Sequence, residues 1–324
     1  VTRVLEESGF NNITVVEEQR NPDGNFPTCP YPNPEIREAM ELGLRDCRKT
    51  GADLLLATDP DCDRCGIAVR TPSGDYQLLS GNEVGLLLLD FICAQRQKHG
   101  RMPRDPLFVK TIVTMDLAEK IASHYGVRTV NVLTGFKYIG EVIGRLENKS
   151  DYICGFEESY GYLTGPYVRD KDAVNAAVLL CDMAADLKSE GLTLLDRLAQ
   201  LRAEFGIYAQ RLLTYEYTGE DGSVTMRNIM AGLRAPLSSF ESIQLQSASR
   251  IDYLNDETGL PKSDVLLFRL NDTDRLIVRP SGTEPKMKAY LFAGSDTMAS
   301  AEKKLDELEA LVRRVTGGQD EPAQ

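Results

Sequence analysis

The sequence predicts two consecutive layered α/β domains with mixed, mostly parallel sheets, followed by a small C-terminal α+β domain. Three observations predict this fold class. Short apolar runs of strand length alternate with stretches of helical periodicity up to about residue 205, the pattern of strand–helix–strand units. Beyond Gly206 the strand candidates follow one another with few helices between them. The 324 residues also exceed the ~150 that one domain usually holds. The expected divisions are residues 1–78, 79–205 and 206–316, with a disordered tail at 317–324.

Taken in order, residues 2–8 read as an amphipathic helix and residues 12–17 (NITVVE) as a strand. Five prolines in residues 21–34 exclude a regular element there. Residues 35–49 carry apolar side chains at helical spacing, and Gly51 stops them. The run DLLLA at 53–57 has the character of a strand buried on both faces, and residues 66–70 make another. In the next segment helices are expected at 82–98, 117–125, 138–148, 172–190 and 193–205, with strands at 106–114, 129–133 and 152–155. The last segment reads as strands at 207–217, 243–253, 265–270, 275–279 and 287–293, with helices at 223–233 and 298–315.

Composition narrows the function classes. With 42% hydrophobic and 27% charged residues the chain is ordinary globular material, not collagenous or disordered. Its 37 basic against 49 acidic residues leave a net charge of −12, which repels a phosphate backbone and excludes a nucleic-acid partner as an expectation. Apolar runs such as residues 84–89 fall far short of the ~20 residues that a membrane helix requires, so no membrane partner is expected. Seven scattered cysteines read as reduced thiols, and a cytoplasmic location is expected. The chain opens at Val1 inside a helical pattern, which reads as part of something longer.

Three loops carry chemistry. Asp59-Pro60-Asp61-Cys62-Asp63-Arg64 follows an apolar strand, at the sheet edge where α/β ligands bind. Three alternating carboxylates can converge on one hard cation, and an oxygen-only set without histidine suits Mg²⁺. Without a cation, such close packing of like charge costs energy. The second loop, Gly155-Phe156-Glu157-Glu158-Ser159-Tyr160-Gly161, offers a carboxylate and a hydroxyl at the spacing of adjacent sugar hydroxyls. Read alone it is an ordinary turn, but it is followed by Arg169-Asp170-Lys171-Asp172 at the start of a long helix. Arg169 and Lys171 there could meet a phosphate, or Lys171 could exchange a proton if burial lowered its pKa. The third loop, Arg279-Pro280-Ser281-Gly282-Thr283-Glu284-Pro285-Lys286, supplies a forked donor, two hydroxyls and a backbone able to turn its N–H groups onto an anion. It lacks the spacing of a P-loop.

In order and spacing these loops resemble those of the α-D-phosphohexomutase superfamily, the phosphoglucomutases and phosphomannomutases. The resemblance runs over essentially the whole chain and implies a piece lacking the family's first, phosphoserine-bearing domain. It implies Mg²⁺ on Asp59, Asp61 and Asp63, with Arg64 beside the reacting phosphate and Lys171 as general acid/base. Thr134 and Gly135 match a family Thr-Gly turn near the sugar, while Glu157 and Ser159 would contact sugar hydroxyls. Arg279, Ser281, Gly282 and Thr283 would clamp the non-reacting phosphate. The implied activity interconverts the 1- and 6-phosphates of a hexose through a bisphosphate, glucose 1,6-bisphosphate if the sugar is glucose. The form of the Glu-Glu-Ser loop resembles the phosphoglucomutase and phosphopentomutase branch more than the mannomutase one, and glucose is the sugar expected. A homo-oligomer is left open.

The chain departs from the family pattern in one place. No T-A-S-H-N-P loop is present, and Ile121-Ala122-Ser123-His124-Tyr125-Gly126 stands after the metal loop instead of before it. Ser123 and His124 are therefore read as helix-end residues, and the chain alone is expected to be inactive. A non-catalytic phosphosugar-binding module is the alternative from another class. A haloacid-dehalogenase-like phosphatase would use Asp59 as nucleophile and Asp61 as acid/base, but it leaves the third loop unexplained. The Cys62-x-x-Cys65 spacing lacks a second ligand pair and is read as coincidence inside the metal loop.

Overall fold

A computed structural model describes residues 1–217, 222–240, 242–281 and 286–316, without the side chains of residues 243 and 244. The expected tail at 317–324 lies outside the described residues. The chain divides into two compact units, Val1–Leu201 and the remainder from Arg202.

The first unit opens with α1 (Thr2–Glu7) and then α2 (Arg37–Thr50), which ends at Gly51 in the left-handed conformation (φ 69°). Met40, Gly43, Leu44 and Cys47 form one helical stripe of α2 and pack with Leu55, Ala68 and Tyr76. Those partners belong to a three-stranded sheet of β1 (Leu54–Thr58), β2 (Cys65–Arg70) and β3 (Tyr76–Leu79), in that order. Both pairings are antiparallel. The layered α/β class stands, but the expectation of mostly parallel strands is corrected for this sheet. Only residues 59–64 separate β1 from β2, and a parallel return needs a crossover of a dozen or more residues.

Residues 12–16 form no strand, and a 3-10 turn at Glu17–Gln19 replaces the end of the expected one. They line, with Leu54 to Thr58 of β1, a cavity of about 950 Å³. The alternating apolar residues of 12–16 thus have no strand partner among the described residues.

A second sheet follows α3 (Gly81–Lys98), whose start is fixed by a capping box. The Ser80 N–H donates to Glu83 at 2.7 Å, and the Glu83 N–H donates to the Ser80 hydroxyl at 3.3 Å. Then come β4 (Leu107–Thr111), α4 (Leu117–His124), β5 (Arg128–Val132), α5 (Phe136–Arg145), β6 (Tyr152–Phe156) and the short β7 (Tyr162–Leu163). The order is β5-β4-β6-β7; β4 is parallel to β5 and β6, and β7 is antiparallel. Here the crossover helices make the parallel expectation correct. Helix α6 (Ala173–Ser189) begins where Asp172 accepts the Asn175 N–H, at 3.0 Å, and α7 (Leu194–Phe205) follows.

The second unit contains β8 (Ile207–Glu216), α8 (Gly222–Leu233), α9 (Ile243–Gln246), β9 (Ser249–Asp252), β10 (Leu266–Arg269), β11 (Arg275–Pro280), β12 (Lys286–Ser295) and α10 (Met298–Thr316). Its five strands are antiparallel in the order β8-β12-β11-β10-β9. Alternate residues Leu276, Val278, Ala289, Leu291 and Ala293 meet Met226, Met230, Leu305, Leu308 and Val312 in one core. The expected strand at 243–253 is half helix. Its I-Q-L-Q start satisfies either period, and as α9 it delivers Leu245 to the core.

Arg234 forks onto Asp252 in this unit, with Nε 2.8 Å from Oδ2 and Nη2 3.2 Å from Oδ1. Burial alone would raise the Asp252 carboxyl, but the bonds from Arg234, Asn255 and the Leu254 N–H outweigh it and hold the group down at about 2. A carboxyl lowered on folding stabilises above its ordinary value near 4, and the contribution is lost as pH falls through about 2. The unit should therefore lose about 2 kcal/mol between those values. Acid titration of the unfolding midpoint checks this, and Arg234→Leu should flatten the curve in that interval.

Candidate active site

The loop between β1 and β2 is organised around one carboxylate. Asp59 Oδ1 accepts the N–H groups of Asp63 and Arg64, both at 3.0 Å, which curls the loop back on itself. Cys62 takes the curl with φ 59°, a conformation that costs a non-glycine residue energy. The curl brings carboxylate oxygens of Asp59, Asp61 and Asp63 within 4.8 Å of one another. Burial raises the Asp59 carboxyl above its ordinary range; the hydrogen bond from the Arg64 N–H opposes this, and the nearby charges of Asp63 and Asp61 add to it. Asp63 Oδ1 is buried and has no hydrogen-bond partner; the Arg64 Nε is 3.8 Å away. A buried orphan oxygen beside two like-charged neighbours fits a hard cation and is costly without one.

Arg64 turns toward the same carboxylates, its Nε 3.5 Å from Asp59 Oδ2. From the start of α6 Lys171 reaches across to Asp63 Oδ2 at 2.8 Å and also pairs with Asp170 at 3.0 Å. Its stem passes the Phe136 ring, with Nζ 5.5 Å from the centroid. Burial pulls the Lys171 pKa down, but the bonds to Asp63 and Asp170 win and raise it. The condition that burial lower this pKa is therefore not met, because two carboxylates hold the proton on.

The loop after β6 is joined to the 59–64 loop by an isolated antiparallel bridge. Arg64 and Gly161 form an antiparallel bridge, the Cys65 N–H donates to the Tyr160 carbonyl at 3.1 Å, and the Glu157 N–H donates to the Gly161 carbonyl at 2.9 Å. Tyr160 makes the reversal at φ 67°. Glu157 is only 6% exposed, and its Oε1 accepts the Gly135 N–H at 2.8 Å. The structure therefore joins the expected sugar-recognition carboxylate to the Thr134–Gly135 turn. Gly135, at φ 121°, occupies backbone space that a side chain would strain. Thr134 Oγ1 is buried with no hydrogen-bond partner, and Ser159 is half-buried. Arg169 is exposed and rests on α5 at two glycines. A Cβ on Gly140 would lie 2.5 Å from the Arg169 carbonyl oxygen, and one on Gly144 2.9 Å from its Nη1.

The first unit thus brings together Asp59, Asp61, Asp63, Arg64, Glu157, Lys171 and the 134–135 turn. Ser123 and His124 are exposed at the end of α4, as helix-end residues. All seven cysteines are free, and burial pushes the Cys65 thiol well up, which suits neither metal binding nor redox exchange. Sequence reasoning missed Asp170 and Phe136 as partners of Lys171. Asp170 was visible inside the charged cluster, whereas nothing in the sequence joins Phe136 to residue 171. In the second unit Arg279 stands one residue before the end of β11, opposite Lys288 of β12, and the Ser281 N–H donates to the Lys286 carbonyl at 2.7 Å. Gly282 and Thr283, also expected on the phosphate, lie outside the described residues.

The phosphoglucomutase/phosphomannomutase α/β/α domain II model matches residues 1–74, and the domain III model matches residues 80–205. The chain belongs to this family, within the phosphohexomutase superfamily. It is 35% identical over 306 residues to a phosphoglucomutase of Staphylococcus epidermidis, covering 91% of this chain and 55% of that protein. A phosphoglucomutase of Staphylococcus aureus is 36% identical over 301 residues, covering 90% and 54%. The chain thus spans about half the length of the curated relatives it matches. Among solved structures, the Paramecium exocytosis-sensitive phosphoprotein pp63/parafusin, in an open form, shares the fold with a TM-score of 0.67 at 20% identity, over 90% of this chain and 52% of that one. A phosphoglucomutase/phosphomannomutase family protein of Burkholderia thailandensis has a TM-score of 0.62 at 15% identity, over 92% and 54%.

Proposed function

We propose that this chain carries the metal, sugar and phosphate sites of a phosphoglucomutase that interconverts glucose 1-phosphate and glucose 6-phosphate through glucose 1,6-bisphosphate. The observation that carries the reading is the meeting of Lys171 with Asp63 beside Arg64. One place then holds three carboxylates that could take a cation, a guanidinium suited to phosphate and a protonated ammonium.

Asp59, Asp61 and Asp63 would hold Mg²⁺, which neutralises charge on a transferring phosphoryl group when bound. Arg64 would orient that phosphoryl group from the metal side. Lys171, charged in this arrangement, gives a proton to a departing sugar oxygen, and the neutral amine so formed takes one back from an attacking hydroxyl in the reverse direction. The Thr134 hydroxyl, left without a partner, is free to bond a sugar oxygen, and Glu157 and Ser159 offer further groups beside it. Arg169 adds an exposed cation near Lys171. Arg279, Ser281, Gly282 and Thr283 would bind the phosphate that does not react, a role that must accept either end of the sugar. None of the 324 residues matches the family's phosphoserine loop, so the chain alone is proposed to bind phosphosugar without turning it over.

Calorimetric titration of the chain with glucose 1,6-bisphosphate, with and without Mg²⁺, tests the reading. Binding is expected, with Arg279→Ala weakening it at least about tenfold, the scale of one charge-assisted bidentate contact. Absence of binding by both this chain and its full-length gene product would refute it.

A further inference from the structure

Lys171 reaches Asp63 only because no side chain stands at residue 161. A Cβ on Gly161 would lie 2.3 Å from Lys171 Cδ and 2.9 Å from its Cγ, inside any real contact distance. Gly161 cannot retreat, because it bridges to Arg64 on one side and its carbonyl accepts the Glu157 N–H on the other. The lysine backbone is fixed as well: the Lys171 N–H donates to Asp170 Oδ1 at 2.8 Å, and the next N–H, of Asp172, donates to the Tyr162 carbonyl at 2.9 Å. The stem is therefore what must move. It is confined between Gly161 and the Phe136 ring, with its side chain 16% exposed.

We infer that Gly161 is a positioning residue: its bare Cα is the channel through which the Lys171 stem is steered onto the metal loop. The inference rests on the role proposed above for Lys171. It adds that the loop after β6, read from sequence as a sugar-recognition element, also sets where the proton carrier ends. A side chain at 161 turns the ammonium off Asp63 while leaving the other proposed ligand-touching groups in place.

Two measurements decide it. In this chain, acetylation of lysines by an activated ester, followed by mass spectrometry, reports how accessible Lys171 is relative to the exposed Lys98. Gly161→Ala should speed Lys171 labelling several-fold, and an unchanged rate would overturn the inference. In the full-length gene product, Gly161→Ala should lower kcat at least tenfold with KM for glucose 1-phosphate changed less than threefold. The same substitution in a Lys171→Ala background should cost nothing more, since the stem it displaces is gone. Equal losses in both backgrounds would show a general structural effect and would overturn the inference. Faster labelling with an unchanged kcat would support the steering by Gly161 and remove Lys171 from the proposed proton transfer, so the two readings fail separately.

Discussion

Replacing Asp61 by alanine should remove Mg²⁺ binding and, in the full-length product, lower turnover by about 10³-fold, while the fold is untouched. The three acidic residues of the metal loop differ in what else they do. Asp59 holds two backbone N–H groups and Asp63 holds Lys171, so changing either also disturbs the loop. Asp61 is exposed and makes no hydrogen bond or ion pair to any described residue, so its expected work is ligation alone. Losing one of three ligands that neutralise phosphoryl charge is worth roughly 4 kcal/mol in the transition state, hence the thousandfold expectation. The unfolding midpoint supplies an independent readout. Mg²⁺ at a hundred times its dissociation constant should stabilise the native chain by about 3 kcal/mol by mass action. That rise should vanish in Asp61→Ala, whose metal-free midpoint should match or slightly exceed the native one, since one of three crowded charges is gone. A midpoint that still climbs with Mg²⁺ would place the cation elsewhere.

The second large effect is expected at Lys171, with two readouts that move in opposite directions. Lys171→Met keeps most of the stem against Phe136 but removes the ammonium that now sits 2.8 Å from Asp63. Turnover of the full-length product should fall by about 10²–10⁴-fold, the usual contribution of a general acid or base. Mg²⁺ affinity should rise, because a cation competing for the same carboxylate has been deleted. Isothermal titration with Mg²⁺ alongside steady-state rates checks both. A variant that loses rate and metal affinity together has a damaged loop, and the assigned role fails.

These residues show where sequence reading stops. The carboxylate triad was legible because its three members lie within five consecutive positions and their alternation is itself the signal. The contact of Lys171 with Asp63 was not, since it depends on α6 starting beside a loop far earlier in the chain. The condition that burial lower its pKa is not met for the same reason: burial can be guessed from a sequence, whereas the two carboxylates that overrule it are known only in three dimensions. The layers of the fold followed from periodicity, but strand direction in the first sheet is governed by the short 59–64 connection, which alternation alone does not weigh. Residues 12–16 carry a strand pattern and form no strand, because pairing is a property of two segments. Residues 243–246 fit both periods, and the core's demand for Leu245 decided between them.

The bridge that Tyr160 and Gly161 make to residues 64 and 65 has a mechanical consequence. Amides at Cys65 and Glu157 are both held by that segment, so the two loops form a single stiff wall that yields, if at all, as one piece. A bisphosphate that presented first one end and then the other, as proposed above, would find no give on this side. On the proposed mechanism, the tumbling belongs to the sugar, and the cation's seat and the proton carrier stay still while it turns.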